Sequence, residues 1–273
     1  MSGGAHGTSR LGPEQPVRDV PAADELASWR GRLSASWATP RQLGARIAVS
    51  AAVVAAAAVP FCLLLLFVES RWGPLLEADD GARDGLHTYA LAHPTFVALM
   101  RAISNSGSAV AWQVVTVVLA AVLLWRRRVR LAVFVIVTIA GSSLINTLVK
   151  DAAHRARPVV GHPLLHEAGK SFPSGHAQAA ATGYAVLLVV FLPYLNRVGR
   201  RVAVTVAVVM VLAIGFSRVA LAAHYVSDVL AAYVLGLAWV AVMAAAFHVW
   251  RRDAIGDGAN TQSGETPYPS QPA

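Results

Sequence analysis

Six stretches of almost unbroken apolar residues divide this chain, at about 46–68, 107–125, 129–149, 176–195, 202–221 and 226–250. Each is close to the roughly 20 residues a helix needs to cross the hydrocarbon core of a bilayer. The pattern predicts an all-α, polytopic membrane protein built as a bundle of six transmembrane helices. A seventh apolar-rich segment, 86–103, is interrupted by Pro94 and is too short to span; it is expected to lie along the interface between spans one and two. Residues 1–45, rich in Gly, Pro, Ala and charge, read as a disordered arm, and the polar stretch 253–273 reads as a disordered tail. The working domain is expected over 46–252. Gly141, Ser142 and Ser143 in the third span are small enough to let helices approach closely.

Composition agrees with this partition: 56% of the residues are hydrophobic and 14% are charged, against about 25% charged in a soluble average. The formal net charge is +8, and Lys150 and Lys170 are the only lysines. A nucleic-acid surface is not indicated, because the arginines gather at the ends of apolar runs. They stand at Arg30, Arg32, Arg41 and Arg46, at Arg126, Arg127, Arg128 and Arg130, at Arg197, Arg200 and Arg201, and at Arg251 and Arg252. With six spans all four groups fall on one side, which the positive-inside rule makes cytoplasmic. Both termini are then cytoplasmic, and the acidic stretch from Glu69 to Asp84 faces outward. The opening residues are too polar for a cleavable signal peptide, so the first span is expected to act as an uncleaved anchor. Cys62, the single cysteine, lies inside that span and has no internal partner.

One loop runs against the charge rule. Between spans three and four, on the expected outer side, Lys150, Arg155, Arg157 and Lys170 face only Asp151 and Glu167. Excess positive charge there works against insertion and asks for an anion. The loop ends in Phe172-Pro173-Ser174-Gly175-His176, with Ser174 as an N-cap and the first amides of span four free to hold phosphate through donors and dipole together. Between spans five and six runs Ser217-Arg218-Val219-Ala220-Leu221-Ala222-Ala223-His224-Tyr225-Val226-Ser227-Asp228. His224 and Asp228, four apart, share a helical face, where a carboxylate can fix the imidazole tautomer and leave the other nitrogen free as a nucleophile. Arg218 adds a planar donor fork suited to phosphate oxygens. Together the three segments offer cationic donors (Lys150, Arg157, Arg218), helix-start amides (Ser174, Gly175), two histidines (His176, His224) and a carboxylate (Asp228). These are the parts phosphoryl transfer requires.

The same residues carry a family resemblance. Lys150 with Arg157-Pro158, then Pro173-Ser174-Gly175-His176, then Ser217-Arg218 with His224 and Asp228 resemble the three signatures of the type 2 phosphatidic acid phosphatase superfamily. Order, spacing and placement against the spans are similar to its membrane lipid phosphatase branch over residues 46–250. The resemblance implies that His224 attacks phosphorus and forms a phosphohistidine, that Asp228 orients it, and that His176 protonates the leaving alkoxide before water cleaves the intermediate. Lys150, Arg157, Arg218, Ser174 and Gly175 would hold the phosphoryl oxygens. It also implies that no metal or other cofactor takes part.

The expected partners are the bilayer and a lipid phosphate: phosphatidic acid, phosphatidylglycerol phosphate or a polyprenyl diphosphate such as undecaprenyl diphosphate, met at the outer face of the plasma membrane. Three alternatives remain open. A lipid phosphotransferase would pass the phosphoryl group to an acceptor alcohol or sugar, a translocator or binding protein would use the basic cavity without chemistry, and a haloperoxidase would hold vanadate there. His154, His162 and His166 are read as solvated loop residues, and His248 as an interfacial residue.

Overall fold

The computed structural model describes residues 40–259, with side chains at 52 and over 55–247. Among these residues there are eight α-helices and no strand: α1 (Pro40–Glu69), α2 (Gly73–Ala92), α3 (Pro94–Ser106), α4 (Ala109–Trp125), α5 (Val129–Ala152), α6 (Gly175–Phe191), α7 (Arg197–Ala220) and α8 (Val226–Ala259). The segments Val129–Ala152, Gly175–Tyr194, Arg197–Ala220 and Val226–Phe247 are each long and apolar enough to cross a membrane. Two further pairs qualify as bent spans: Ala55–Glu69 with α2, at 88°, and α3 with α4, at 41°. The protein is an all-α, multi-span membrane protein, and its six apolar runs correspond to α1 and α4 through α8. Most of the expected arm and tail, including Arg30 and Arg32, lies outside the described residues. Residues 40–45 and 253–259 belong to α1 and α8.

The breaks follow local chemistry. Pro94 lacks an amide hydrogen and pushes the preceding residue out of the helical region. His93 accordingly sits at φ −130°, ψ 82°, and the chain restarts as a new helix. The expected single interfacial segment 86–103 is thus corrected to two elements, the end of α2 and most of α3. Neither is a detached surface helix: Ala90, Val97 and Met100 bury themselves against Ala220 and Leu221 at the end of α7. At two other breaks a polar side chain caps the new helix. Ser108 Oγ accepts from the Ala111 amide at 3.2 Å and Asn196 Oδ1 from the Gly199 amide at 2.8 Å, each replacing an intrahelical bond that a helix start lacks.

The interior is formed where α4, α5, α6 and α8 meet, through Leu119, Leu123, Phe134, Val135, Val186, Val190, Val240 and Met243. Lipid is as apolar as leucine, so close backbone approach rather than hydrophobic drive holds such helices together. Gly183 shows the requirement most clearly, since a Cβ there would fall 2.2 Å from the Trp112 ring. At Gly215 it would meet the Tyr233 hydroxyl, which reaches past the glycine to donate to the Val211 carbonyl at 2.7 Å. Gly183→Ala is expected to destabilise the bundle by about 1–3 kcal/mol, the usual cost of overpacking. A thermal unfolding midpoint in detergent equal to wild type would contradict this account.

Candidate active site

Three segments converge at one end of the bundle: the end of α5 with the loop 153–174, the start of α6, and the turn between α7 and α8. That turn reverses direction through Ala222 at φ 53°. It is drawn tight by bonds from the Ala223 and His224 amides to the Arg218 carbonyl, at 3.0 and 3.2 Å. This folding-back inserts His224 into the interior, 1% exposed.

His224 is gripped from both ring nitrogens. Nδ1 stands 3.5 Å from Asp228 Oδ2, one helical turn ahead on α8. Nε2 stands 3.2 Å from Arg157 Nη1. An arginine can only donate, so Nε2 accepts and the ring proton sits on Nδ1, facing the carboxylate. The fully buried Asp228 is well supplied with donors: Ser171 Oγ at 2.5 Å and the Tyr225 amide at 3.0 Å on Oδ2, and Arg155 at 2.6 Å on Oδ1. Burial, opposed by the neighbouring Asp228 and reinforced by the charges of Arg218 and Arg157, holds the imidazole below its ordinary pKa. His224 is therefore neutral at neutral pH, with a lone pair on Nε2.

Around that lone pair lie the cations. Arg157 is fixed by the carbonyls of Ala223 at 3.0 Å and Gly169 at 3.2 Å. Arg218, 1% exposed, donates to Ser104 Oγ of α3 at 2.7 Å, while its Nε is buried without a partner. Between the two guanidinium groups sits the carboxylate of Glu167. One oxygen bonds Arg218 and the other lies 2.8 Å from Arg157 and 4.0 Å from His224 Nε2. Burial works to raise this carboxyl, but the bonded Arg218 and the nearby Arg157 outweigh it and keep the group ionised, below the usual carboxylate range.

Gly175 opens α6 beside Lys150, whose Nζ would lie 4.0 Å from a Cβ at that position. His176 follows, within electrostatic reach of Arg218, Glu167, His224 and Lys150. All eight residues singled out in the sequence thus reach this end of the bundle. Ser174 departs from expectation in detail. It takes the N-cap position, but its hydroxyl makes no capping bond, and its amide is committed to the Asp228 carbonyl at 3.1 Å. The cause is the packing of the α6 start onto α8, which leaves Ser174 Oγ buried and unpartnered and leaves the donors at Gly175 and beyond for an anion. His154, His162 and His166 are exposed, as solvated loop residues would be.

Four participants were not singled out in the sequence: Asp79, Arg155, Glu167 and Ser171. Arg155 and Glu167 were visible only as loop charges, and Asp79 only as part of an outward acidic stretch. For Ser171 the sequence carries no signal.

A pocket of about 250 Å³ opens beside this cluster. Ala109, Trp112, Ile139, Asn146 and Gln178 line it, with His176 at its edge. A polar ladder runs along its wall, from Asn146 to Gln178 at 2.7 Å, from Gln178 to the Ser142 carbonyl at 2.9 Å, and from Ser142 to Thr182 at 2.8 Å.

Comparison with known proteins gives the class. The chain is 33% identical over 183 residues, 65% of its own length and 89% of the relative's, to phosphatidylglycerophosphatase B of Bacillus subtilis (strain 168). It is 34% identical over 117 residues to a lipid A 1-phosphatase of Rhizobium johnstonii, covering 40% of this chain and 44% of that one. Its fold matches the crystal structure of a transmembrane PAP2-type phosphatidylglycerolphosphate phosphatase from Bacillus subtilis, with a TM-score of 0.64 at 25% identity over 74% of this chain and 96% of the other. These matches, with the all-helical multi-span fold, define a membrane hydrolase of the lipid phosphatase class. The model of the PAP2 superfamily matches residues 131–252, and the chain belongs to that superfamily.

Proposed function

We propose that this protein hydrolyses a phosphomonoester or diphosphate borne by a membrane lipid, through a phosphohistidine formed on His224. The observation that carries the proposal is the position of Glu167. Its carboxylate bridges Arg157 and Arg218 and approaches the open nitrogen of His224, so it occupies the place a phosphoryl group would take. A substrate phosphate displaces Glu167 and takes over both guanidinium groups, with Lys150 and the Gly175 amide on its remaining oxygens. Nε2 of His224 then attacks phosphorus, and the Asp228 carboxylate, facing the proton that stays on Nδ1, stabilises the growing positive charge on the ring. His176 gives its proton to the departing oxygen, and water, activated by the same imidazole, releases phosphate.

Charge neutralisation by three cationic side chains lets the chemistry proceed without a metal. The pocket lined by Trp112 and Ile139 gives an apolar tail a place beside His176. Phosphatidylglycerol phosphate, phosphatidic acid and polyprenyl diphosphates all join such a tail to a terminal phosphate. A site at the outer face of a plasma membrane, with both termini cytoplasmic, is supported by the arginines of 126–128 at the start of α5. They are separated from Lys150 by most of a 24-residue helix, about 33 Å at 1.5 Å per residue.

The test is phosphate release from a panel of these lipids by the purified protein in detergent micelles with a chelator present. Release that stops with chelator and returns with a divalent metal would overturn the metal-free mechanism. Transfer to an added alcohol in place of free phosphate would favour a phosphotransferase. Because Glu167 competes with substrate, Glu167→Gln is expected to lower KM by about threefold to tenfold, removing the share of enzyme held in the self-occupied form. An unchanged or raised KM would show that the carboxylate does not compete.

A further inference from the structure

Behind the nucleophile, Asp228 belongs to a second charged assembly whose other members, Asp79, Arg155 and Ser227, have no part in the mechanism above. The Arg155 guanidinium stands between two carboxylates, with Nη1 2.6 Å from Asp228 Oδ1 and Nη2 2.8 Å from Asp79 Oδ2. It lies over the Tyr225 ring, 4.1 Å from the centroid. Ser227 locks the group together: its hydroxyl accepts from Arg155 at 2.6 Å and donates to Asp79 at 2.5 Å, and its amide donates to Asp79 at 3.0 Å. Asp79 comes from α2, Arg155 from the loop after α5, and Ser227 and Asp228 from α8. The Asp79 and Arg155 side chains are 2% and 8% exposed.

Buried charges are costly unless matched, and this set has a defined sum. Arg155 alone would cancel Asp228 and leave His224 facing a neutral pair. Asp79 takes up the arginine's charge, so the trio keeps one net negative charge against the imidazole. The rigid guanidinium plane, bridging one oxygen of each carboxylate, also fixes the angle at which Asp228 presents its other oxygen. We propose that Asp79 and Arg155 are positioning residues for the nucleophile, which hold Asp228 aimed at His224 Nδ1 and set the charge opposite the ring as it accepts the phosphoryl group. This inference rests on the assignment of His224 as nucleophile.

The experiment compares kcat and the pH dependence of kcat/KM for the full-length protein in detergent, with dioleoyl phosphatidic acid as probe. The variants are Asp79→Asn, Asp79→Glu and Arg155→Gln. The other groups facing His224 are untouched: Arg157, Glu167 and Ser171 of the loop, Arg218 of α7 and His176 of α6, with Lys150 of α5 beside Arg157. Asp79→Asn and Arg155→Gln each lower kcat by about tenfold to hundredfold, as loss of an outer partner does at other histidine–carboxylate sites. Their acid limbs move in opposite directions. Asp79→Asn leaves the arginine's charge uncompensated, lowers the basicity of His224 and carries the limb to lower pH. Arg155→Gln leaves two carboxylates unneutralised and carries it to higher pH, in each case by about half a unit or more. Asp79→Glu restores the wild-type limb. If Arg155→Gln does not fold, Arg155→Lys serves in its place: it keeps the charge without bridging both carboxylates, and so lowers kcat with the limb unmoved. Limbs that stay in place in Asp79→Asn, or that move the same way in both charge-changing variants, would overturn the inference. Full activity of His224→Ala would instead remove the reading beneath it.

Discussion

Replacing His224 with alanine is expected to lower phosphate release by about four orders of magnitude or more, the scale on which enzymes lose a covalent nucleophile. The expectation rests on the two-sided grip on the ring. Arg157 can only donate, so its contact fixes the lone pair on Nε2, and Asp228 holds the proton on the far nitrogen. Ser171 Oγ lies on the Nδ1 side, 3.4 Å away, and is committed to Asp228. The variant should keep Arg157, Arg218 and Lys150 in place and therefore still bind orthovanadate, which imitates the transferring group, while turning nothing over. Release within a hundredfold of wild type would require another nucleophile.

The second large effect is expected at His176, and it should depend on what leaves. His176→Gln keeps the size and polarity of the side chain but cannot deliver a proton. On a lipid phosphomonoester the departing alkoxide is strongly basic, so turnover should fall by about 10²–10⁴, the usual contribution of a positioned acid. On an aryl phosphate, whose phenolate departs without help, the same variant should lose far less. Rates falling equally on both substrates would assign His176 to phosphate binding rather than to proton transfer.

The helical bundle was legible because bilayer thickness imposes a run length that few other structures require, and α5 through α8 follow those runs closely. The cationic loop was legible because it sits where positive charge is disfavoured. The partition of its charges was not. Arg155 and Arg157 are two residues apart in one irregular segment, yet one turns inward to Asp79 and Asp228 and the other to Glu167 and His224 Nε2. No periodicity governs a loop, so spacing cannot decide which is which. Asp79 joins Arg155 across 76 positions, a pairing that depends on the 88° corner between α1 and α2. Pro94 was correctly a break, but only packing against α7 decides that the pieces on either side become two helices, each with one face buried.

The resting carboxylate of Glu167 bears on selectivity in a crowded membrane. A bilayer surrounds such a site with a great excess of phosphodiester headgroups, each carrying a single negative charge, and an unguarded pair of arginines would fill with them. An internal occupant is tethered and loses almost no translational freedom by staying, so an intruder with one charge gains little by evicting it. A terminal phosphate brings a second charge to the same two guanidinium groups. On the proposed mechanism, one glutamate side chain would thereby turn the difference between a monoester and a diester into a difference in access.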